Sequence, residues 1–185
     1  MAQSLAQKKW FDVVAPKLFD KEKISETPAE SAEQVEGRTV RIGLKELMPS
    51  SNKYYMNVTL QVERVDGKKA KTRFVGHQAS KEYVSKLVSR RTDRIDHVVD
   101  VETEDGEEVR VKLIGVAMNK ASSSAKTGIR KKMEEIVEEK ASEQSLNSFA
   151  KSIFKNQIQK EIAKRCNKVT PLKSVEIRKT EVKEQ

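Results

Sequence analysis

The chain has 185 residues, a length that suits one domain, or one domain with an appendage, and allows a sizeable hydrophobic core. Its 37 lysines and arginines outnumber 28 acids and give a net charge of +9, which favours a phosphate-rich partner, with a membrane surface as the competing anion. The single cysteine, Cys166, excludes an internal disulfide framework and a cysteine-based metal site, and it suits a reducing compartment.

The sequence shows no targeting segment and no membrane span. No apolar run approaches the roughly 20 residues of a spanning helix, and the Met-Ala-Gln start is not followed by an apolar signal region. We therefore expect a cytoplasmic protein. A charged fraction of 35% is also typical of heat-adapted proteins with ion-pair networks, but such networks do not explain the positive excess.

Residues 1–36 lack hydrophobic periodicity, because a basic, aromatic start leads into an acidic stretch. This pattern predicts an extended N-terminal arm. The indole of Trp10 could stack on an unpaired base while Lys8 and Lys9 hold the backbone. The alternative is that Trp10 and Phe11 anchor the chain end in a core.

Three strands are predicted next, since apolar residues alternate over 40–44 and again over 56–62. Asp66-Gly67 is a strong hairpin signal that begins the third strand. The period of two places Ala70, Thr72 and Phe74 on one face of that strand. The other face carries a basic row: Lys69, Lys71 and Arg73.

A short helix and a second hairpin follow. Ser80 is a good N-cap for a helix that ends near Arg90 and Arg91, and cations suit a helix C-terminus, which favours a purely structural role for them. Asp105-Gly106 predicts a hairpin whose returning strand continues into the apolar run 114–118. That run is typical of a central strand.

The most informative feature is a basic tract without any acid between Asn119 and Met133. Its members are Lys120, Lys126, Arg130, Lys131 and Lys132. Cations at the electropositive start of a helix cost about 0.3 to 1 kcal/mol each, so folding alone does not explain this order. We interpret the tract as a phosphate-binding site. A solvated charged face is the alternative.

Apolar stripes predict a helical cluster over 126–167, and a last strand follows Thr170-Pro171. Tight hairpins argue for antiparallel pairing. We therefore predict an α+β fold: a mostly antiparallel, curled or barrel-like sheet of about six strands with a helical cluster, plus the N-terminal arm. The predicted division is an arm at 1–36 and an RNA-binding domain at 37–185.

Evidence for catalysis is weak. The two histidines, His77 and His97, have neither metal-ligand spacing nor a neighbouring nucleophile, so we expect structural roles for both. No glycine-rich phosphate loop is present. We expect no catalytic residues, no metal and no cofactor, although carboxylate pairs can be assembled from distant parts of a chain.

Several short blocks are informative in combination. They are Lys8-Lys9-Trp10-Phe11-Asp12-Val13, Ala15-Pro16 with Phe19, Gly37-Arg38, Phe74 and Gly76, His97 to Asp100 with Asp105-Gly106, Ile129-Arg130-Lys131-Lys132-Met133, and Pro171-Leu172 with Ile177-Arg178-Lys179. In order and spacing they resemble the S-three-A-e (e-S-one) family of small-subunit ribosomal proteins of archaea and eukaryotes, over nearly the whole chain. The short segment 120–127 and the end soon after the last strand suggest an archaeal-type member.

The resemblance implies a structural protein on the platform of the small ribosomal subunit, near where messenger RNA leaves. Its partners would be small-subunit ribosomal RNA, neighbouring ribosomal proteins and, near the exit, messenger RNA. The family's basic blocks carry over onto Lys8, Lys9, Lys17, Arg130, Lys131 and Lys132. The other RNA-binding candidates rest on the residue patterns alone: Trp10, Lys69, Lys71, Arg73, Arg90, Arg91, Lys120 and Lys126.

Two other classes stay open at this point. An RNA-processing or RNA-modifying enzyme would use the same basic surfaces to hold substrate, but it would need a concave carboxylate cluster or a cofactor pocket. A free RNA-binding translation or chaperone factor would share the charge pattern without being a permanent part of a ribosomal subunit.

Overall fold

The computed structural model describes residues 8–19 and 23–183. The chain divides into two compact units, residues 1–75 and 76–185, and each is described by itself. The division predicted at residue 36 stays a prediction. Among the described helices, none is long and apolar enough to cross a membrane.

The first unit is built on strands. Their bounds are β1 Lys9–Val14, β2 Lys23–Ala29, β3 Thr39–Gly43, β4 Met56–Asp66 and β5 Lys69–Ala79, with one helical turn, α1, at Leu44–Leu47. The strand order is β2-β1-β5-β4-β3, and the last residues of β5 belong to the second unit. β1 pairs with β2 antiparallel but with β5 in parallel, through Asp12 opposite Lys69.

Strand β1 sends neighbouring aromatic side chains to opposite faces, as the period of two requires. Phe11 is 5% exposed and packs in a cluster with Val35, Val62 and Ala70, whereas Trp10 is 60% exposed. The sequence left two alternatives for this aromatic pair, a surface that stacks on a base and an anchor in a core, and each applies to a different residue. Phe11 anchors the chain in the core, and Trp10 stays available at the surface.

The second unit places helices on an antiparallel sheet. Its elements are α2 Lys81–Leu87, β6 Asp93–Glu102, β7 Glu108–Ala117, α3 Ser123–Ser142, α4 Leu146–Phe154, α5 Gln157–Cys166 and β8 Leu172–Val182. The strand order is β5-β8-β7-β6, so β7 is central, as the apolar run predicted. Gly115 on β7 allows close packing of α3, because a Cβ there would lie 2.6 Å from Met133 Cε.

The helix starts agree with the sequence in part. Ser80 caps α2 by accepting a hydrogen bond from the Tyr83 N–H, as predicted. Asn156 precedes α5, has a φ of 59° and makes no side-chain cap, although asparagine is a common capping residue. Its left-handed backbone instead joins two consecutive helices, a conformation that asparagine tolerates better than most residues.

The two histidines differ in their hydrogen bonding. His77 is buried, and its ring contacts Thr180 Oγ1 at 2.7 Å and the Ile177 carbonyl at 3.0 Å, which confirms a satisfied structural role. His97 Nε2 lies 3.4 Å from Glu134 Oε2 without a hydrogen-bond partner among the described residues.

The α+β class is confirmed. The sheet has eight strands where about six were predicted, because β1 and β2 lie in the segment predicted as an arm. Within the described residues β3 pairs only with β4 and β6 only with β7, so the sheet is open and does not close into a barrel. One pair, β1 with β5, is parallel in a sheet predicted to be mostly antiparallel.

Candidate nucleic-acid interface

The exposed side of the first unit's sheet carries one group of predicted site residues, which we call the first-unit face. It consists of Trp10, Lys69, Lys71 and Arg73. The pairing of Asp12 with Lys69 puts the side chains of Trp10 and of this basic row on the same face. The opposite face carries the buried Phe11, Ala70 and Phe74. An exposed indole beside cations is the arrangement that single-stranded nucleic acids use.

The cations of the first-unit face already have partners within the protein. Lys71 Nζ lies 3.0 Å from Asp66 Oδ2, and this contact holds the pKa of the Asp66 carboxyl below its usual value. The Arg73 guanidinium donates twice to Gln61 Oε1, at 3.2 and 3.1 Å. Lys69 also interacts within the protein. This face can therefore contact phosphate only in competition with internal bonds.

Three more predicted cations lie in the first unit, near the start of the chain. Lys8, Lys9 and Lys17 are exposed. Lys9 precedes Trp10 on β1, and Lys17 follows that strand. No carboxylate among the described residues pairs with any of them.

Three loops of the second unit meet at one end of its sheet. Asp93 pairs with Ala117 across β6 and β7, and Ala117 pairs with Leu172 across β7 and β8. The Met118 N–H donates to the Pro171 carbonyl at 3.0 Å. The segments 88–93, 118–126 and 167–173 are thereby brought together although they are far apart in sequence.

We call this surface the basic end, and it consists of Arg90, Arg91, Lys120, Lys126, Lys168 and Lys173. Asp93 is the only acid in its three segments. Asp93 Oδ2 accepts from the Ala121 N–H at 2.9 Å and lies 2.9 Å from Lys126 Nζ, so the pKa of this carboxyl is lowered, first by the backbone bond and then by the lysine.

The remaining cations of the basic end have no carboxylate partner among the described residues. Arg90, Arg91 and Lys120 are exposed. Lys173 Nζ contacts only a neutral group, Ser89 Oγ at 3.1 Å. Surplus charge of one sign is therefore concentrated on loops whose positions are fixed by the sheet. Such an array is complementary to a phosphate backbone.

Helix α3 begins earlier than the sequence argument assumed. Its first residue is Ser123, and Ser122 caps it by accepting from the Ala125 N–H. Arg130 therefore lies beyond the first turn, where the helix dipole has faded. The predicted cost of placing Arg130, Lys131 and Lys132 at a helix start is wrong. The cation in the first turn is Lys126, and Asp93 neutralises it.

Further along α3, the charged side chains of Arg130 and Glu139 have partners outside the helix. Arg130 Nε donates to the Asp96 carbonyl at 3.1 Å. Arg165 Nη1 lies 2.8 Å from Glu139 Oε2, which lowers the pKa of Glu139. Lys131 is exposed, and Lys132 is half-buried near enough to Cys166 to oppose the rise that burial causes in the pKa of that thiol.

Sequence reasoning missed Lys168 and Lys173. Both flank Pro171, in a segment where only the start of a strand was predicted. Their isolated charges give no local signal, and they join the basic end only because β8 pairs with the central strand. The structure thus brings Arg90, Arg91, Lys120 and Lys126 together, and it places Trp10, Lys69, Lys71 and Arg73 on a different surface.

Comparisons with known proteins identify the family. Residues 2–185 match the profile of the Ribosomal S3Ae family. The small ribosomal subunit protein eS1 of Methanothermobacter thermautotrophicus is 35% identical over 97% of this chain and 92% of that protein. Proteins of the same name are 35% identical in Methanopyrus kandleri, over 96% of this chain and 86% of theirs, and in Saccharolobus islandicus, over 95% and 84%. The chain therefore belongs to the ribosomal S3Ae family.

Proposed function

We propose that the chain is a structural constituent of the small ribosomal subunit and binds small-subunit ribosomal RNA. Family membership supports the ribosomal role. The observation that carries the RNA contact is the basic end, where Arg90, Arg91 and Lys120 are exposed and form no salt bridge within the described part of the chain. Cations of this kind release counterions from RNA at little structural cost.

The two surfaces contribute differently to the proposed binding. The basic end supplies electrostatic attraction to phosphate groups, which positions an RNA without reading its sequence. Trp10 on the first-unit face supplies an exposed aromatic plane, on which an unpaired base can stack. Lys69, Lys71 and Arg73 contribute less, because their internal bonds must be exchanged for RNA contacts. Lys8, Lys9, Lys17, Arg130, Lys131 and Lys132 remain proposed RNA contacts through the family resemblance.

The proposed location is the platform of the small subunit, near the exit of messenger RNA. Neighbouring small-subunit proteins are the proposed protein partners, and messenger RNA at the exit is a further one. A cytoplasmic location follows from the ribosomal role. The chain has no proposed catalytic role in this setting.

A salt titration tests the RNA contact. We expect binding to a small-subunit ribosomal RNA fragment to weaken steeply with salt, by about 0.7 to 0.9 in log affinity per neutralised phosphate for each tenfold rise in concentration. Affinity that is independent of salt would contradict the proposal.

Sedimentation separates the proposed role from the alternatives. A structural constituent should co-sediment with small subunits at one copy each through a high-salt gradient. A free translation factor or an RNA-modifying enzyme would dissociate under the same conditions. Loss of the protein from the subunit fraction while other integral proteins remain would therefore contradict a structural role.

A further inference from the structure

The second unit contains a pocket of about 310 Å³ that no predicted site residue lines. It is formed by the end of β5, by helix α2 and by strands β6 and β8. Four of its lining side chains are basic: Lys81, Arg94, Arg178 and Lys179. None of the lining residues is acidic.

Two carboxylates, those of Asp96 and Glu181, form ion pairs with three of these four cations, and Arg178 shares Asp96 with Arg94 at a longer distance. Arg94 makes two hydrogen bonds to the Asp96 carboxylate, at 2.7 and 2.8 Å, and Lys179 pairs with Glu181. Lys81 is exposed and has no partner among the described residues. The pocket therefore keeps a positive excess.

Arg178 is the most informative member of the lining. Its Nε is buried and has no hydrogen-bond partner among the described residues, and Asp96 Oδ1 is 3.8 Å away, too far for a hydrogen bond. A buried donor without a partner is destabilising. An acceptor supplied by a ligand would relieve that cost.

The rest of the pocket is suited to a base rather than to a bare anion. Val84 is half-buried and Ala79 is buried, so both give apolar surface. Gln78 adds a half-buried carboxamide, which can donate and accept towards a base edge. The volume lies at the lower end of the range of small-ligand sites, about 300 to 1,000 Å³, which suits a single nucleotide.

We propose that this pocket binds one unpaired nucleotide of RNA. Lys81 and Arg178 hold its phosphate, the base lies against Val84, and Gln78 contacts the base edge. The inference rests on the proposed RNA binding and adds to it a site that distinguishes an unpaired nucleotide from a continuous duplex. The position supports it, because Arg94 follows the Arg90-Arg91 segment of the basic end by three residues.

An acidic protein segment is the competing occupant, since guanidinium and ammonium groups also bind carboxylates. A nucleotide is favoured because an acidic side chain would use the cations but neither the apolar wall nor the carboxamide of Gln78. The experiment includes an acidic peptide for this reason.

The test compares two RNA hairpins that differ only by one nucleotide: one is fully paired, and the other carries a single bulged uridine. The full-length protein should bind the bulged hairpin about tenfold more tightly. The double variant Lys81→Gln/Arg178→Gln should lose this preference while still binding the paired hairpin. The matched control Lys86→Gln/Lys164→Gln removes the same charge from exposed positions outside the pocket and should keep the preference.

Thermal melting of each variant establishes that it is folded, and the single variant Lys81→Gln repeats the test at an exposed position where misfolding is not expected. Equal affinity of the natural protein for the two hairpins, or a preference that survives in the pocket variants, would overturn the nucleotide site but leave RNA binding intact. A poly-glutamate peptide is the probe for a protein partner. If binding of this peptide depends on Lys81 and Arg178 but the preference for the bulged hairpin does not, the nucleotide site would be overturned in favour of an acidic protein segment. Failure to bind either hairpin would contradict the proposed function itself.

Discussion

The first-unit face and the basic end both carry clustered cations but differ in the availability of those cations. Lys71 and Arg73 are held by Asp66 and Gln61, whereas Arg90 and Arg91 form no salt bridge with any described residue. This difference shows that the density of cations along the sequence is not sufficient to identify an RNA-binding surface. Each cation must also be examined for its neighbours in the fold. A cation that contacts only solvent can bind phosphate without breaking an internal bond, whereas a cation with an internal partner cannot.

The largest effect is expected at the basic end. The triple variant Arg90→Gln/Arg91→Gln/Lys120→Gln should lower RNA affinity on the order of 100-fold at 0.1 M salt, because three phosphate contacts are lost. The slope of log affinity against the logarithm of salt concentration should become shallower by about 2 to 3. The melting temperature should stay within about 1 °C, since these side chains form no salt bridge among residues 8–19 and 23–183. A clearly unstable variant would mean that these cations have a structural role.

Trp10 and Phe11 give the next largest contrast, because they are adjacent in sequence but differ in burial. Trp10→Ala should weaken binding to single-stranded RNA by about 1 to 3 kcal/mol and leave the fold stable. Phe11→Ala should instead lower the free energy of unfolding by about 3 to 5 kcal/mol, since Phe11 is 5% exposed in the core. Fluorescence titration and chemical denaturation measure the two effects. Unchanged RNA binding in the Trp10 variant would show that the exposed indole meets protein or solvent.

Substitution of the basic row on β5 should lower RNA affinity less than substitution of the basic end. The triple variant Lys69→Gln/Lys71→Gln/Arg73→Gln removes the same charge as the variant of the basic end, so it is its matched control. We expect about a tenfold loss of RNA affinity at 0.1 M salt, because internal partners already occupy these cations, and a small decrease in melting temperature. An affinity loss equal to that of the basic-end variant would remove the distinction between the two surfaces.

Asp93 offers a change in the opposite direction. Asp93→Asn keeps an acceptor for the Ala121 N–H but removes the only acid of the basic end, so RNA affinity should rise about fivefold at 0.1 M salt as Lys126 is released. Isothermal titration with a ribosomal RNA fragment measures this change. Unaltered or weaker binding would mean that Lys126 does not contact RNA.

The same variant has a defined pH dependence. The pKa of Asp93 is lowered in the folded protein by Ala121 and Lys126, so its stabilising contribution is complete above the unfolded value, about 3.9, and is lost as the pH falls through the lower folded value. The variant should therefore melt slightly earlier than the natural protein at pH 7. The two melting temperatures should begin to converge as the pH falls below about 3.9, and they should meet only below the lower folded pKa of Asp93.

The parts of the fold that could be predicted are those with local causes. Asp66-Gly67 predicts its hairpin because the turn needs a positive φ, and Gly67 has a φ of 64°. Ser80 predicts the start of its helix because its side chain caps the backbone N–H of a residue only three positions later. Strand β1 could not be predicted, because its parallel partner β5 lies more than fifty residues away and residues 1–36 carry no alternation. The fold class therefore followed from hairpins and helix periodicity, while the open edge and the parallel pair did not.

The candidate site was predictable only in part, for the same reason. The sequence identifies Arg90, Arg91, Lys120 and Lys126 as cations but does not show that they meet. The neutralisation of Lys126 depends on Asp93, which lies 33 residues earlier, and Arg178 of the pocket was noticed only as part of a family block. Long-range strand pairing creates these juxtapositions, and no local pattern encodes them.

Lysine reactivity in the assembled particle tests the central claim most directly: that the cations left unpaired by the fold are those that contact RNA. Amine labelling with mass spectrometry should show Lys120, Lys168 and Lys173 reactive in the isolated protein, protected in the small subunit, and reactive again after nuclease digestion. Lys71, which Asp66 already holds, should change less. Equal labelling of Lys120, Lys168 and Lys173 in all three states would contradict the account.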